Sequence, residues 1–216
     1  MVKRETALED REQAGERLFS PSAARNRDAI RDVFIKAAPT SGKVLEIGGG
    51  TGEHSVHIAS AAPKLEWHTG DPDKKSRASI AAWIKHVDLP NLSGPHGIDV
   101  TEPEWGVEDS APFAAIISIN MIHIAPFEAA EGLFAGARRL LAASGMLFLY
   151  GPFKRCGEHT SPSNEAFDIS LKSRDPNWGV RDVEHDLLAL AQKNSLALEG
   201  IVEMPANNLS VIFKKT

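Results

Sequence analysis

Val44-Leu45-Glu46-Ile47-Gly48-Gly49-Gly50-Thr51-Gly52 is the stretch that decides the fold. A short apolar run stops abruptly at glycines, and a helical segment through Val56, Ile58 and Ala59 follows as far as Pro63. A strand that turns through glycine into a helix is the repeating unit of a parallel α/β sheet. Working outward, Leu65–Thr69 reads as a second strand, closed by Gly70-Asp71-Pro72. Ile80, Trp83, Ile84 and Val87 then recur at helical spacing, and Gly97-Ile98-Asp99-Val100 reads as the end of a third strand. Phe113–Ile119 is continuously apolar, as a strand buried on both faces must be. Leu133, Ala137, Leu140 and Leu141 line a helix, and Met146–Tyr150 is a fifth strand. A helix at about 182–193 precedes strands Leu196–Glu203 and Leu209–Lys214, joined by the turn Pro205-Ala206-Asn207-Asn208.

Toward the N-terminus two helices are expected. Thr6-Ala7-Leu8-Glu9 fits a capping box for the first, Ser20-Pro21-Ser22 breaks the chain, and Ile30, Val33, Phe34 and Ala37 give the second an apolar face. Residues 152–178 are polar and lack periodicity, which is the pattern of a loop. The expectation is α/β: a doubly wound, seven-stranded, mainly parallel sheet with one antiparallel strand from the C-terminal hairpin. Residues 1–216 form one domain in this reading, with a helical cover at 1–38 and a substrate lid at 152–178.

The 216 residues carry 24 Lys and Arg against 29 Asp and Glu, a net charge of −5 that argues against nucleic-acid binding by counterion release. One cysteine, Cys156, excludes an internal disulfide and reads as a free thiol. The opening residues have no apolar core of a signal peptide and no apolar run approaches a membrane span, so the cytoplasm is the expected compartment and no membrane is involved.

In such sheets ligands bind beyond the carboxyl ends of the strands. Gly48, Gly50 and Gly52 follow the first strand, where glycine lets the backbone approach a ligand. Asp71 follows the second, suited to accept both hydroxyl hydrogens of a ribose. Asp99, with Val100 beside it, follows the third and suits an exocyclic purine amine. Asn120-Met121-Ile122-His123 follows the fourth. A dinucleotide turn needs glycine where Glu53 stands, and a carboxylate there repels phosphate.

The pattern Glu46-x-Gly48-x-Gly50-x-Gly52 instead resembles motif I of class I S-adenosylmethionine-dependent methyltransferases, which have a Rossmann-like fold. More narrowly, the chain resembles the methyltransferase-like family that includes animal methyltransferase-like protein twenty-six and bacterial homologues. Ala23–Asp28, Asn120–His123, Tyr150-Gly151-Pro152-Phe153, Arg174–Gly179 and Met204–Asn208 are among the segments that carry this resemblance. It implies S-adenosylmethionine as cofactor, with Glu46 near its cationic end.

Methyl transfer is an in-line displacement, and a base is needed only where the nucleophile keeps a proton. His123 is the candidate base and Tyr150 a candidate for orienting the acceptor. Arg25 and Asn26 are candidates for the methionine carboxylate or the acceptor. Phe153, Phe167 and Trp178 are expected to wall an acceptor pocket, with Asp168, Arg155 or His159 reading a polar group. His54 and His57 lack a matched carboxylate, so no metal is expected. The expected partner is a small molecule, methylated at O or N, with the oligomeric state open. The alternatives are a cofactor-binding module without catalysis and, further off, a nicotinamide oxidoreductase.

Overall fold

The computed structural model describes residues 9–216. The described residues begin with a hairpin of two short strands, β1 (Glu12–Ala14) and β2 (Arg17–Phe19), where a helix is expected from the sequence. Thr6, Ala7 and Leu8 of the expected capping box lie outside the described residues. Glu9 accepts hydrogen bonds from the hydroxyls of Ser20 and Ser22. Ser20 marks the break between β2 and the next element. Ser20 is the N-cap of α1 (Pro21–Ala37), its Oγ accepting from Ala23 N at 3.1 Å, and proline fits the first helical turn because no partner for its missing N–H is needed there.

Strand and helix then alternate, except that β5 and β6 are joined without an α-helix: β3 (Gly42–Ile47), α2 (Glu53–Ala61), β4 (Leu65–Gly70), α3 (Lys74–Val87), β5 (Leu92–His96), β6 (Phe113–Ile119), α4 (Phe127–Leu140) and β7 (Leu141–Gly151). The third strand ends at His96, so Gly97–Val100 follows it rather than closing it. Residues 152–178 are not an irregular loop. They form the small hairpin β8 (Lys154–Arg155) and β9 (Glu158–His159), then α5 (Pro162–Arg174), capped by Ser161. One π turn (Val183–Leu187) leads into α6 (Leu188–Lys193), and β10 (Leu196–Met204) and β11 (Asn208–Lys215) close the chain.

The large sheet has seven strands in the order β10-β11-β7-β6-β3-β4-β5. β11 runs antiparallel to both of its neighbours, and β3 pairs in parallel with β4 and β6. Alternate side chains divide between two apolar layers. Val44, Trp67, Ala115 and Phe148 pack with Ile30 and Phe34 of α1 and Ile58 of α2. Leu45, Ile47, Ile116 and Leu147 pack with Leu133 and Phe134 of α4 and Leu190 of α6. Covering both faces is what allows the central strands to be apolar throughout.

Gly132 in α4 fixes one rim of the sheet. A Cβ there would run into the carbonyl oxygen of Val100, a backbone group that cannot rotate away. Gly132→Ala is expected to destabilise the fold by about 1–3 kcal/mol, the usual cost of overpacking. Thermal unfolding should register this as a loss of several degrees. An unchanged midpoint would show that α4 can slide off the Val100 segment.

Candidate cofactor and acceptor site

The carboxyl ends of the parallel neighbours β6, β3, β4 and β5 lie side by side along one rim of the sheet. The Gly48 and Gly49 N–H groups both donate to Gly70 O at 3.0 Å, tying the glycine turn to the end of β4. Met121 lies over Gly48, 2.9 Å from where a Cβ would stand, and Ile98 packs on Gly70. Gly50 has φ +57° and meets no side chain, so its outer face is open to a ligand. Asp71, 7% exposed, accepts from Gly50 N at 2.9 Å through Oδ2 and from Asp73 N at 2.8 Å through Oδ1. Burial pushes its pKa up, and the two backbone donors oppose this. Asp99 is exposed and holds Thr101 N and Oγ1 through Oδ1, while Val100 is buried. Asn120 sits in the left-handed region at φ 55°, its N–H donating to Tyr150 O at 2.8 Å.

Glu46 does not face this rim as an open carboxylate. It is 2% exposed, and Oε2 accepts from the Ser55 hydroxyl and, at 3.1 Å, from Trp67 Nε1. Burial raises its pKa. Its donors belong to α2 and β4, which makes it a brace between the glycine turn and its neighbours. Glu53 is likewise buried, accepting from Ser20 N and, at 3.0 Å, from Thr51 Oγ1. That pair ties the end of the β1–β2 hairpin to the glycine turn. The hairpin lies along α3: Leu18 N donates to Ser79 Oγ at 2.8 Å and Trp83 Nε1 to Leu18 O at 3.1 Å.

Beyond β6, His123 is 1% exposed; neither ring nitrogen makes a hydrogen bond of good geometry, and only the Gly179 backbone and the Asp168 charge favour its protonated form. The ring stands edge-on to Phe153 at 4.9 Å and lies against Gly151, where any Cβ would strike Nε2. Burial, reinforced by the Arg181 charge, pushes its pKa down to about 3. Its folded pKa therefore lies below the unfolded value of about 6.5. As pH falls through that window the unfolded chain takes up a proton that the folded ring refuses, so stability is lost. The expected slope is about 1.4 kcal/mol per pH unit between roughly pH 6 and pH 4. His123→Phe should flatten the pH-dependence of chemical unfolding there by that amount; an unaltered slope would refute the buried neutral ring.

Tyr150 is buried, and burial raises its pKa, against hydrogen bonds from the Asn26 and Asn208 side chains. Asn26 Oδ1 also lies 2.9 Å from His54 Nε2, giving a polar line from α2 through α1 to β7 and β11. Arg25, by contrast, is exposed, and its charge acts on Glu9. Phe153 is wholly buried and packs in the core rather than walling an open pocket. Phe167 and Trp178 are half-buried. Asp168 is 3% exposed and already saturated by Lys172 Nζ at 2.8 Å, Val180 N at 2.8 Å, Lys154 Nζ at 3.3 Å and His159 Nε2 at 3.3 Å. It clasps α5 to β8, β9 and the segment after Trp178 rather than presenting a free carboxylate. Arg155 pairs with Glu184, and Cys156 is exposed and free.

Two residues absent from the sequence-based set matter here. Arg181 donates to Ile122 O at 3.0 Å and Ala125 O at 2.6 Å, pinning the loop that carries His123. Arg27 lies on the inward stripe of α1 with Ala23, Ile30 and Phe34, and its Nε is buried without a partner. Its spacing of three before Ile30 is the signal that could have found it.

A protein-family comparison matches residues 17–215 to DUF938, described as a protein of unknown function. The chain belongs to the DUF938 family. Among solved structures, an O-methyltransferase family protein from Burkholderia thailandensis aligns with TM-score 0.71 at 14% identity, over 89% of this DUF938 chain and 60% of the other. The S-adenosylmethionine-dependent methyltransferase SibL in its apo form aligns with TM-score 0.72 at 16% identity, over 90% and 55%. CalO1, a methyltransferase of calicheamicin biosynthesis in its SAH-bound form, aligns with TM-score 0.66 at 15% identity, over 87% and 54%. At these identities the likeness is one of fold, and this DUF938 chain spans little more than half the length of each. Among the described residues, no helix is long and apolar enough to cross a membrane.

Proposed function

We propose that this chain transfers a methyl group from S-adenosylmethionine to a hydroxyl or nitrogen of a small molecule, most naturally an oxygen. The observation that carries the reading is the set of groups along this rim. An open glycine turn, a buried carboxylate at the end of β4, and an imidazole without a hydrogen bond of good geometry at the end of β6 lie along one rim of the sheet. The residues fit the cofactor: Asp71 offers a carboxylate to two ribose hydroxyls, Asp99 and Val100 flank the base, and Gly48, Gly50, Gly52, Asn120 and Met121 line the middle. When bound, S-adenosylmethionine supplies an electrophilic methyl on a sulfonium.

His123 then receives the acceptor's proton. A pKa of about 3 keeps the ring unprotonated at working pH. It remains a sufficient base, because the hydroxyl proton becomes far more acidic than an imidazolium as the new C–O bond forms. A bound hydroxyl also satisfies a ring nitrogen whose isolation costs about 1–3 kcal/mol. Tyr150, held by Asn26 and Asn208, orients the acceptor through its hydroxyl as a neutral donor. α5, clasped by Asp168 and tied through Asn164 Nδ2 to Asn207 O at 2.9 Å, acts as the acceptor-side cover, with Phe167 and Trp178 at its edge. In this reading the chain is one catalytic domain working in the cytoplasm on a small molecule.

Calorimetry tests the cofactor: binding of S-adenosylhomocysteine and none of NAD is expected, and the reverse would establish the nicotinamide alternative. Transfer of label from methyl-labelled S-adenosylmethionine to a panel of phenols, hydroxy acids and amines tests the reaction. Cofactor binding with no transfer to any member would favour a non-catalytic module.

A further inference from the structure

Asp71 is held by its backbone as well as by its carboxylate. Its N–H donates to His96 O at 3.1 Å, across to the end of β5. Its own carbonyl oxygen accepts from Arg77 Nη1 at 2.8 Å, and the next carbonyl, that of Pro72, accepts from the same nitrogen at 2.7 Å. Nη1 carries two hydrogens, so one goes to each oxygen. Successive carbonyls of an extended strand point opposite ways, so their meeting at one nitrogen holds the turn out of β4. Arg77 reaches that turn from the start of α3, which Asp73 caps by accepting from Ser76 N at 2.8 Å. Its guanidinium lies over Gly97, just past β5, with Cζ 3.8 Å from where a Cβ would stand. Both Nη1 bonds go to backbone oxygens rather than to the neighbouring Asp71 and Asp73 carboxylates.

That choice leaves the Asp71 carboxylate to other donors. An ionised carboxylate has about four lone-pair positions. Gly50 N takes one on Oδ2 and Asp73 N one on Oδ1, which leaves one on each oxygen among the described residues. One open position on each oxygen matches two adjacent hydroxyls. The direction in which those positions face follows from the Cα–Cβ bond of Asp71. The two peptide groups on either side of that Cα set it, one fixed by His96 O and the other by Arg77. We propose that Arg77 is a positioning residue that aims the Asp71 carboxylate at a vicinal diol of the ligand and sets the preference for that diol. It acts through Asp71 rather than on the ligand. The inference rests on the methyltransferase reading for the diol, a ribose, and on the paired carbonyl bonds for the role.

Arg77→Met keeps the apolar stem and removes both donors, while Arg77→Lys returns a nitrogen with hydrogens to donate. Thermal unfolding of each full-chain variant is checked first, and Arg77→Gln replaces the Met variant if that does not fold. Calorimetry then compares S-adenosylhomocysteine with its 2′-deoxy and 3′-deoxy analogues. Wild type is expected to favour the parent over each by at least about tenfold, the scale of one charge-assisted hydrogen bond. In Arg77→Met the parent is expected to weaken about tenfold and the deoxy analogues less than about threefold, so the preference largely disappears. Arg77→Lys is expected to restore most of it. Equal weakening of all three ligands marks Arg77 as a general brace of the fold and overturns the proposal, as does no weakening. A wild-type chain that binds no adenosyl ligand, or does not distinguish the deoxy analogues, sinks the ribose reading instead, and amide hydrogen exchange without ligand then decides Arg77. The Gly50 and Asp73 amides, held by the carboxylate, should lose at least about tenfold more protection in Arg77→Met than the Gly48 and Gly49 amides, held by Gly70 O. Uniform or unchanged protection there overturns the proposal.

Discussion

His123→Ala is expected to lower methyl transfer to a hydroxyl acceptor by about 10²–10⁴-fold while leaving S-adenosylhomocysteine affinity within a factor of a few. That range is the usual contribution of a positioned general base. The ring is buried against Gly151 and Phe153 and neither nitrogen makes a hydrogen bond of good geometry, so its removal subtracts a proton acceptor at little cost in hydrogen bonding. The pH profile supplies a second, independent signature. A histidine base of ordinary pKa gives a limb in kcat/KM near 6.5. With the ring held down to about 3, the limb moves out of the working range and the profile stays flat from about pH 5 upward, until the acceptor or the fold titrates. A limb at 6.5 that disappears in the variant would show the ring more solvated in the working enzyme than burial against Phe153 allows. Undiminished turnover in His123→Ala would remove it from the mechanism and leave the acceptor to lose its proton to water.

Asp71→Ala is the counterpart on the cofactor side. On the proposed ribose contact, two charge-assisted hydrogen bonds of about 1.5–3 kcal/mol net each would be lost together, so affinity for S-adenosylhomocysteine is expected to fall at least about 100-fold. Gly50 and Asp73 lose their acceptor as well, which loosens the turn that the ligand meets. Asp71→Asn separates the two effects: its amide oxygen still accepts one of those backbone hydrogens, so the turn is partly kept while the charge is gone. Affinity loss in Asp71→Asn approaching that of Asp71→Ala assigns the effect to the carboxylate's charge. Wild-type affinity in both variants would place the ribose elsewhere.

The two regions misread from sequence share a cause. α5 shows no apolar period because its inward face is Asn164, Asp168 and Leu171. Two of those three are polar and satisfied by distant groups, so the usual signal of a buried helical face is missing. Ser161-Pro162, a cap followed by proline at the first helical position, was the local clue. The strands of the N-terminal hairpin are only 3 residues long each, too short for alternation to show. Its place is set by Ser79, Trp83 and Glu53, which are far away in sequence. Arg25 and Arg27 differ by two positions on one helix, about 200° of rotation, and it is Arg27 that falls on the stripe formed by Ala23, Ile30 and Phe34.

From residue order alone the chain determined its doubly wound sheet, the glycine turn after β3 and the carboxylate at the end of β4. Those features depend on apolar runs, periodicity and backbone freedom at glycine, all of which are local. Tertiary structure decided which polar groups are spent and which are free. Asp168 and Glu46 read as ligands in sequence and prove hydrogen-bonded within the fold, while neither ring nitrogen of His123 nor Nε of Arg27 meets a partner at hydrogen-bond geometry. Hydrogen-bond satisfaction is a property of what folds against a side chain, and the donors to Asp168 come from Lys154, His159, Lys172 and Val180 on four different segments.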